Sequence, residues 1–154
     1  MGLNIGDDLP DVTLADQDGA WIKLRDFVGQ PVVVFFYPKD NTPVCNIEAC
    51  EFEAHYGELK SAGVKVFGIS KDSVSSHKKF ATRFHLEYRL LSDVNSEAEK
   101  SFGVGRKLFG LLQDRITFIF DKEGKLMHTI KSQLNGRRHV DETLSVLNIE
   151  TQLK

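Results

Sequence analysis

The chain has 154 residues, 41% of them apolar and 27% charged, with a formal net charge of -2. This length suits one domain with a single real core, and the balance is that of a soluble globular protein. The near-neutral charge gives no electrostatic case for nucleic acid or an anionic membrane as a partner, and the longest apolar run, Pro31 to Tyr37, is too short to span a bilayer.

Met1 to Asp8 carries no basic region and no apolar stretch, so a secretory signal is not expected. Gly6 stands where a myristoylation start would carry Ser or Thr. Two cysteines are too few for a disulfide-stapled scaffold, which makes a reducing, cytoplasmic setting the default. A transit peptide removed earlier would leave a plastid location open. No repeat, low-complexity tract or linker interrupts the sequence, and residues 1–154 are expected to form a single domain.

In chain order, Val12 to Leu14 alternates like a short half-buried strand, with Asp16 to Gly19 as its turn and Trp21 to Leu24 pairing back. Val32 to Phe36 is a continuous β-branched and aromatic run, as in a strand covered on both faces. From Thr42 the period changes. Ile47, Cys50, Ala54 and Leu59 outline the apolar stripe of one helix, capped by Thr42 or Asn41, with Pro43 in its first turn and Gly63 at its end.

Val64 to Ile69 reads as the next buried strand, and Val74 to Phe84 as a helix with His77, Phe80, Ala81 and Phe84 on one face. Leu90-Leu91 suits a short strand and Ser96 to Phe102 a short helix. Ile116 to Phe120 and Leu126 to Ile130 form a hairpin in which Gly124 supplies the positive φ of the turn. Val140, Leu144 and Leu147 stripe a last helix. Strands alternating with helices, then a hairpin, predict an α/β domain with a mixed sheet and helices on both faces, its βα units crossing over right-handed.

Both cysteines fall in the segment Pro38 to Cys50, directly after the carboxyl end of the most buried strand, where open α/β sheets place their ligands. Cys45 lies in the first helical turn, beside backbone N–H groups without intrahelical partners. Those groups and the helix dipole favour the thiolate, which is the reactive form. Five residues of ideal helix put the Cα atoms of Cys45 and Cys50 roughly 8–9 Å apart, whereas a disulfide needs them within about 7 Å. A bridge therefore requires the helix start to unwind. The alternative for such a pair is two buried small hydrophobes, a role that Cys50 fits on the apolar stripe and Cys45 does not. A zinc site would have only His55 nearby in sequence, and a dithiol oxidoreductase would want Cys-x-x-Cys.

With Pro38, Thr42 and Cys45 at the spacing Pro-x-x-x-Thr-x-x-Cys, the segment resembles the peroxiredoxin family. Phe36-Tyr37-Pro38-Lys39-Asp40 before it and Glu48-Ala49-Cys50 after it are similar to the bacterioferritin comigratory protein/PrxQ branch. Gly6 and Pro10, Gly68 to Ser73, Ser76-His77, Leu90 to Asp93 and Arg115 to Phe118 extend the likeness over roughly residues 4 to 148. The resemblance implies a thioredoxin-like fold and a peroxidase that uses no metal, haem or flavin. Departures are Val44 for the common Gly, Asn46 for Thr, and Leu111-Leu112-Gln113-Asp114 for a Gly-Ile stretch before Arg115.

The same resemblance implies the roles at the site. Cys45 is the peroxidatic nucleophile, and Cys50 resolves its sulfenic acid as an intramolecular disulfide recycled by a thioredoxin-like dithiol donor. Thr42 hydrogen-bonds the peroxide or thiolate, although on spacing alone it is a helix cap. Pro38 shapes the loop and shields the sulfur. Arg115 brings a permanent positive charge to Cys45, and Glu48 holds that Arg. Hydrogen peroxide and organic hydroperoxides are the implied substrates, and a monomer the implied state. A redox sensor or disulfide-exchange module using the same cysteines is the competing expectation. Gly103-Val104-Gly105 is only a fragment of a nucleotide loop, and His77, His85, His128 and His139 show no metal-ligand spacing. Arg137-Arg138-His139 reads as a charged opening to the last helix.

Overall fold

A computed structural model describes residues 3–107 and 112–148. Thr13–Asp16 (β1) pairs antiparallel with Trp21–Lys23 (β2) across the expected turn. Val32–Phe36 (β3), Lys65–Ser70 (β4) and Arg89–Ser92 (β5) form the parallel centre, while Ile116–Phe120 (β8) and Leu126–Lys131 (β9) form the hairpin. The sheet order is β2-β1-β5-β4-β3-β8-β9, with β8 antiparallel to β3. A separate ribbon, Arg106–Lys107 (β6) with Leu112–Gln113 (β7), was not expected from the sequence; Leu111 lies outside the described residues.

β3 divides two cores, as its continuous apolar run predicts. Val33, Phe35 and Tyr37 face one cluster, and Val32, Val34 and Phe36 the other. The first cluster is covered by Pro43–Ala54 (α1), Tyr56–Ser61 (α2), Val74–Phe84 (α3) and Gly136–Val146 (α5). The second is covered by Glu97–Phe102 (α4) and the N-terminal segment through Leu9 and Val12. The α/β class, the mixed sheet and the helices on both faces are as expected.

The segment after Thr42 differs from its sequence reading in two ways. The single helix is broken at His55, whose ring contacts Glu58 at 3.0 Å, so α1 and α2 are separate elements. The buried stripe of α1 is Cys45, Glu48, Ala49 and Phe52, while Ile47 and Ala54 are exposed and Cys50 half-buried. The apolar pattern pointed to the wrong face because the true inner face carries a charged residue, Glu48, that is neutralised from elsewhere in the chain.

Candidate active site

Sheet pairing brings three segments to one end of the molecule. Phe36, the last residue of β3, faces Ile116 at the start of β8, and Ile116 faces Lys131 at the end of β9. The loop 37–42, Arg115 and the 132–135 connection to α5 therefore meet there. Asn41 turns the loop in a left-handed conformation (φ 62°), and Thr42 enters α1 with extended backbone. Thr42 stands at the N-cap position, as expected, but its side chain makes no capping hydrogen bond; its hydroxyl donates to the Lys39 carbonyl at 3.0 Å. Pro43 occupies the first helical position and has no N–H, while the Val44 and Cys45 amides are by position without intrahelical acceptors. Such amides favour a negative charge at the helix start.

Cys45 is 1% exposed, which reverses the expectation that Cys50 would be the buried cysteine. Its sulfur accepts a hydrogen bond from Arg115 Nη2 at 3.1 Å. Arg115 Nη1 donates to Glu48 Oε1 at 2.7 Å, and Nε donates to the Gln133 carbonyl at 2.9 Å. The Arg115 backbone N–H donates to Gln133 Oε1 at 3.0 Å. The guanidinium is thus fixed on three sides. Burial opposes its charge, but the adjacent Glu48 and Cys45 hold it more firmly protonated than usual. Glu48 is fully buried, and burial pushes its carboxyl up to about 7 against the pull of Arg115.

Behind Glu48 stands His139, also fully buried rather than part of a charged opening to α5. Its Nε2 lies 2.8 Å from the Ser132 carbonyl, which can only accept, so Nε2 carries the proton. Its Nδ1 then accepts from the Thr117 hydroxyl at 2.8 Å. Burial pushes His139 down to about 4, despite its bond to Ser132. One turn earlier, a Cβ on Gly136 would lie 2.9 Å from the Glu48 backbone N and 3.0 Å from the Val44 carbonyl. Glycine here lets α5 approach the first turn of α1.

Cys50 sits on the outer side of α1. Partial burial, then Glu51 and Glu53, push its thiol up, against Arg83. Both cysteines are free in an unbroken helix. The far end of α1 is anchored: Phe52 stacks on Phe35 with centroids 4.5 Å apart, and the Tyr88 hydroxyl donates to the Ala49 carbonyl at 2.8 Å.

A second buried network holds the other side of the loop. Asp40 Oδ1 accepts from the Tyr37 hydroxyl at 2.6 Å, and Oδ2 accepts from Ser76 Oγ at 2.8 Å and faces His77 Nδ1 at 2.8 Å. His77 Nε2 faces the Leu91 carbonyl at 3.1 Å, so both ring nitrogens meet acceptors. The Asp40 N–H donates to Asp72 Oδ2 at 2.8 Å. Asp40, Asp72 and His77 approach within 4.8 Å, a spacing that metal ligands share. Donors from the chain already engage these carboxylates, so the cluster works as a clamp on the loop. Gln113, in the stretch that departs from the family pattern, donates to the Tyr37 carbonyl at 3.0 Å and closes the loop from a third direction.

The site residues expected from sequence are therefore brought together in part. Cys45, Arg115 and Glu48 are in contact, and Thr42 lies one turn before Cys45. Pro38 is half-buried at the loop start, and Cys50 is turned away. Sequence reasoning missed Asp40, Gln133, Gly136 and His139. For His139 a signal existed, because it shares a helical face with Thr143 and stands beside Val140 on the inner stripe.

Residues 5–129 match the AhpC/TSA family model. The chain belongs to the peroxiredoxin family. It is 45% identical over 145 residues to the chloroplastic peroxiredoxin Q of Populus jackii, covering 94% of this chain and 68% of that one. The corresponding protein of Gentiana triflora is 46% identical over 138 residues, covering 90% and 64%. The chain thus spans about two thirds of the length of these plant relatives. Among solved structures, peroxidoxin BcpB from Mycobacterium tuberculosis superposes with a TM-score of 0.86 at 37% identity, covering 94% of this chain and 96% of that one. The bacterioferritin comigratory protein of Xanthomonas campestris, described for its alkyl peroxide reduction activity, gives 0.85 at 30% identity, covering 94% and 98%. The fold is accordingly the thioredoxin-like fold of the PrxQ branch of the family.

Proposed function

We propose that the chain is a thiol-dependent peroxidase in which Cys45 attacks the peroxide and Cys50 resolves the product. The observation that carries this reading is the buried Arg115 guanidinium, 3.1 Å from the Cys45 sulfur at a helix start whose first amides lack intrahelical acceptors. A fixed charge and fixed N–H dipoles stabilise both the thiolate and the negative charge that develops on the peroxide oxygens. Thr42 has its hydroxyl hydrogen committed to Lys39, which leaves its oxygen lone pairs to accept from the peroxide O–H. Pro38 narrows access to the sulfur, and Glu48 orients Arg115.

The steps balance without a metal or cofactor. The Cys45 thiolate bonds the distal peroxide oxygen, the O–O bond breaks, and the leaving oxygen takes a proton to depart as water or an alcohol. The Cys50 thiol then attacks the sulfenic acid sulfur, forming the disulfide and expelling water. A dithiol donor of thioredoxin type reduces the disulfide by exchange. Hydrogen peroxide and organic hydroperoxides are the proposed substrates, and a single-domain monomer the proposed state. The chloroplastic names of the plant relatives favour a plastid over a cytoplasmic location.

The test is peroxide consumption with a thioredoxin reducing system, paired with mass spectrometry of the oxidised thiols. Cys45→Ser should abolish reduction. Cys50→Ser should complete one reduction and stall as a sulfenic acid or mixed disulfide. Equal loss of the first half-reaction in both variants contradicts the assigned roles, and a bridge that forms without peroxide turnover indicates a redox-exchange module.

A further inference from the structure

Arg115 is one positive charge facing two groups that can each be negative, the Cys45 sulfur at 3.1 Å and the Glu48 carboxyl at 2.7 Å. Which of them carries the charge decides how much thiolate is present. Glu48 Oε1 is bound by Arg115, whereas Oε2 is buried with no hydrogen-bond partner among the described residues. His139 Nδ1 lies 3.6 Å from Oε2. With the ring proton held on Nε2 by the Ser132 carbonyl, that Nδ1 carries no hydrogen, and its lone pair accepts from the Thr117 hydroxyl at 2.8 Å. The neutral ring thus offers Oε2 a partly negative nitrogen and no donor, so a charge on that oxygen goes unsupported from this side.

We propose that His139 is a positioning residue for the reactive thiolate: its unprotonated Nδ1 disfavours charge on Glu48 and so leaves the negative charge opposite Arg115 on Cys45. The exchange is a proton equilibrium, in which the Cys45 S–H bond breaks and a Glu48 Oε2–H bond forms with no change in net charge. The other groups bearing on Glu48 act consistently. Tyr88, buried nearby and itself pushed further up by the Glu48 charge, stays a neutral phenol. Arg115 and Arg138 both oppose protonation of His139, against the Ser132 carbonyl and Glu142, a surface partner of Arg138, which favour it. Burial itself holds the ring in its neutral form.

This inference rests on Cys45 being the reactive thiol, but its test reads the sulfur directly and needs no peroxide turnover. Thiolate absorbance is followed against pH in a Cys50→Ser background. His139→Phe removes the lone pair, and the Cys45 titration should move upward by roughly one pH unit. Combined with Glu48→Gln, which cannot take the charge, the same substitution should move it by nothing measurable. A merely structural role shifts both backgrounds alike; that result, or no shift in either, overturns the proposal. Thr117→Val frees Nδ1 from its hydroxyl donor and should move the titration to lower pH, and an upward or absent shift there also counts against it.

Discussion

Two carboxylate–histidine pairs flank the Cys45 loop, both fully buried, and they are built on opposite principles. In the Asp40–His77 pair the ring nitrogen sits 2.8 Å from the carboxylate and the other nitrogen also faces an acceptor, so a doubly protonated ring satisfies every partner. In the Glu48–His139 pair the separation is 3.6 Å, the far nitrogen holds the proton, and the carboxylate takes its counter-charge from Arg115 instead. The first is a closed hydrogen-bonded pair that clamps the loop to α3. The second is an open arrangement whose charge can migrate. Residue type does not distinguish them; the partner of the remote ring nitrogen does.

The largest effect should come from breaking the closed pair. Asp40→Ala takes the buried acceptor away from His77 Nδ1 and from the Tyr37 and Ser76 hydroxyls at once, and urea unfolding should register a loss of about 3–5 kcal/mol. A loss below about 1 kcal/mol would mean that the clamp relaxes without its acceptor and the contrast between the pairs disappears.

Acid stability probes the open pair. Native Glu48, pushed up to about 7, holds a proton down to its ordinary 4.5 that the unfolded chain lacks, so it adds stability as pH falls through that window. His139, pushed down to about 4 from 6.5, is neutral when native and charged when unfolded, so it removes stability as pH falls across nearly the same range. The two slopes offset each other. In Glu48→Gln only the histidine slope remains, and stability should drop by about 3 kcal/mol between neutral and mildly acid pH. Equal acid sensitivity in the unsubstituted chain and the variant would contradict the offset.

The smallest stability change is expected on the loop between the pairs. Thr42→Val should alter unfolding free energy by less than about 0.5 kcal/mol, because the hydroxyl does not cap α1, whereas a working cap would cost about 1 kcal/mol. Peroxide reduction should nevertheless fall on the order of 100-fold. A full cap penalty would return Thr42 to its simpler role.

Much of this was legible in the chain. The β3 run, the hairpin around Gly124, α3 and the cysteine segment follow from periodicity and turn chemistry, because each depends on near neighbours. The Pro38, Thr42, Cys45 spacing carried the site. Long-range neutralisation was not legible from periodicity, and only the family likeness set Arg115 beside Glu48. Glu48 is buried only because Arg115, 67 residues later, meets it, so the inner face of α1 looked polar and the stripe was drawn through Ile47 and Ala54. His139 stands on the inner face of α5 beside Val140, but its partners Thr117 and Ser132 arrive from other elements, so its position was legible and its role was not. The break at His55 had no apolar signal, since Leu59 is buried on either reading.

The pairing of β3 with β8 acts as a ruler for the chemistry. Cys45 follows the end of one strand, and Arg115 precedes the start of its antiparallel neighbour, with Phe36 set against Ile116. A slip of one residue would carry the arginine about 3.4 Å along the strand and turn it to the opposite face of the sheet. The gap between guanidinium and sulfur is therefore gauged by backbone hydrogen bonds at the centre of the molecule, among its least adjustable dimensions. Side chains around the site can vary while that measure stands.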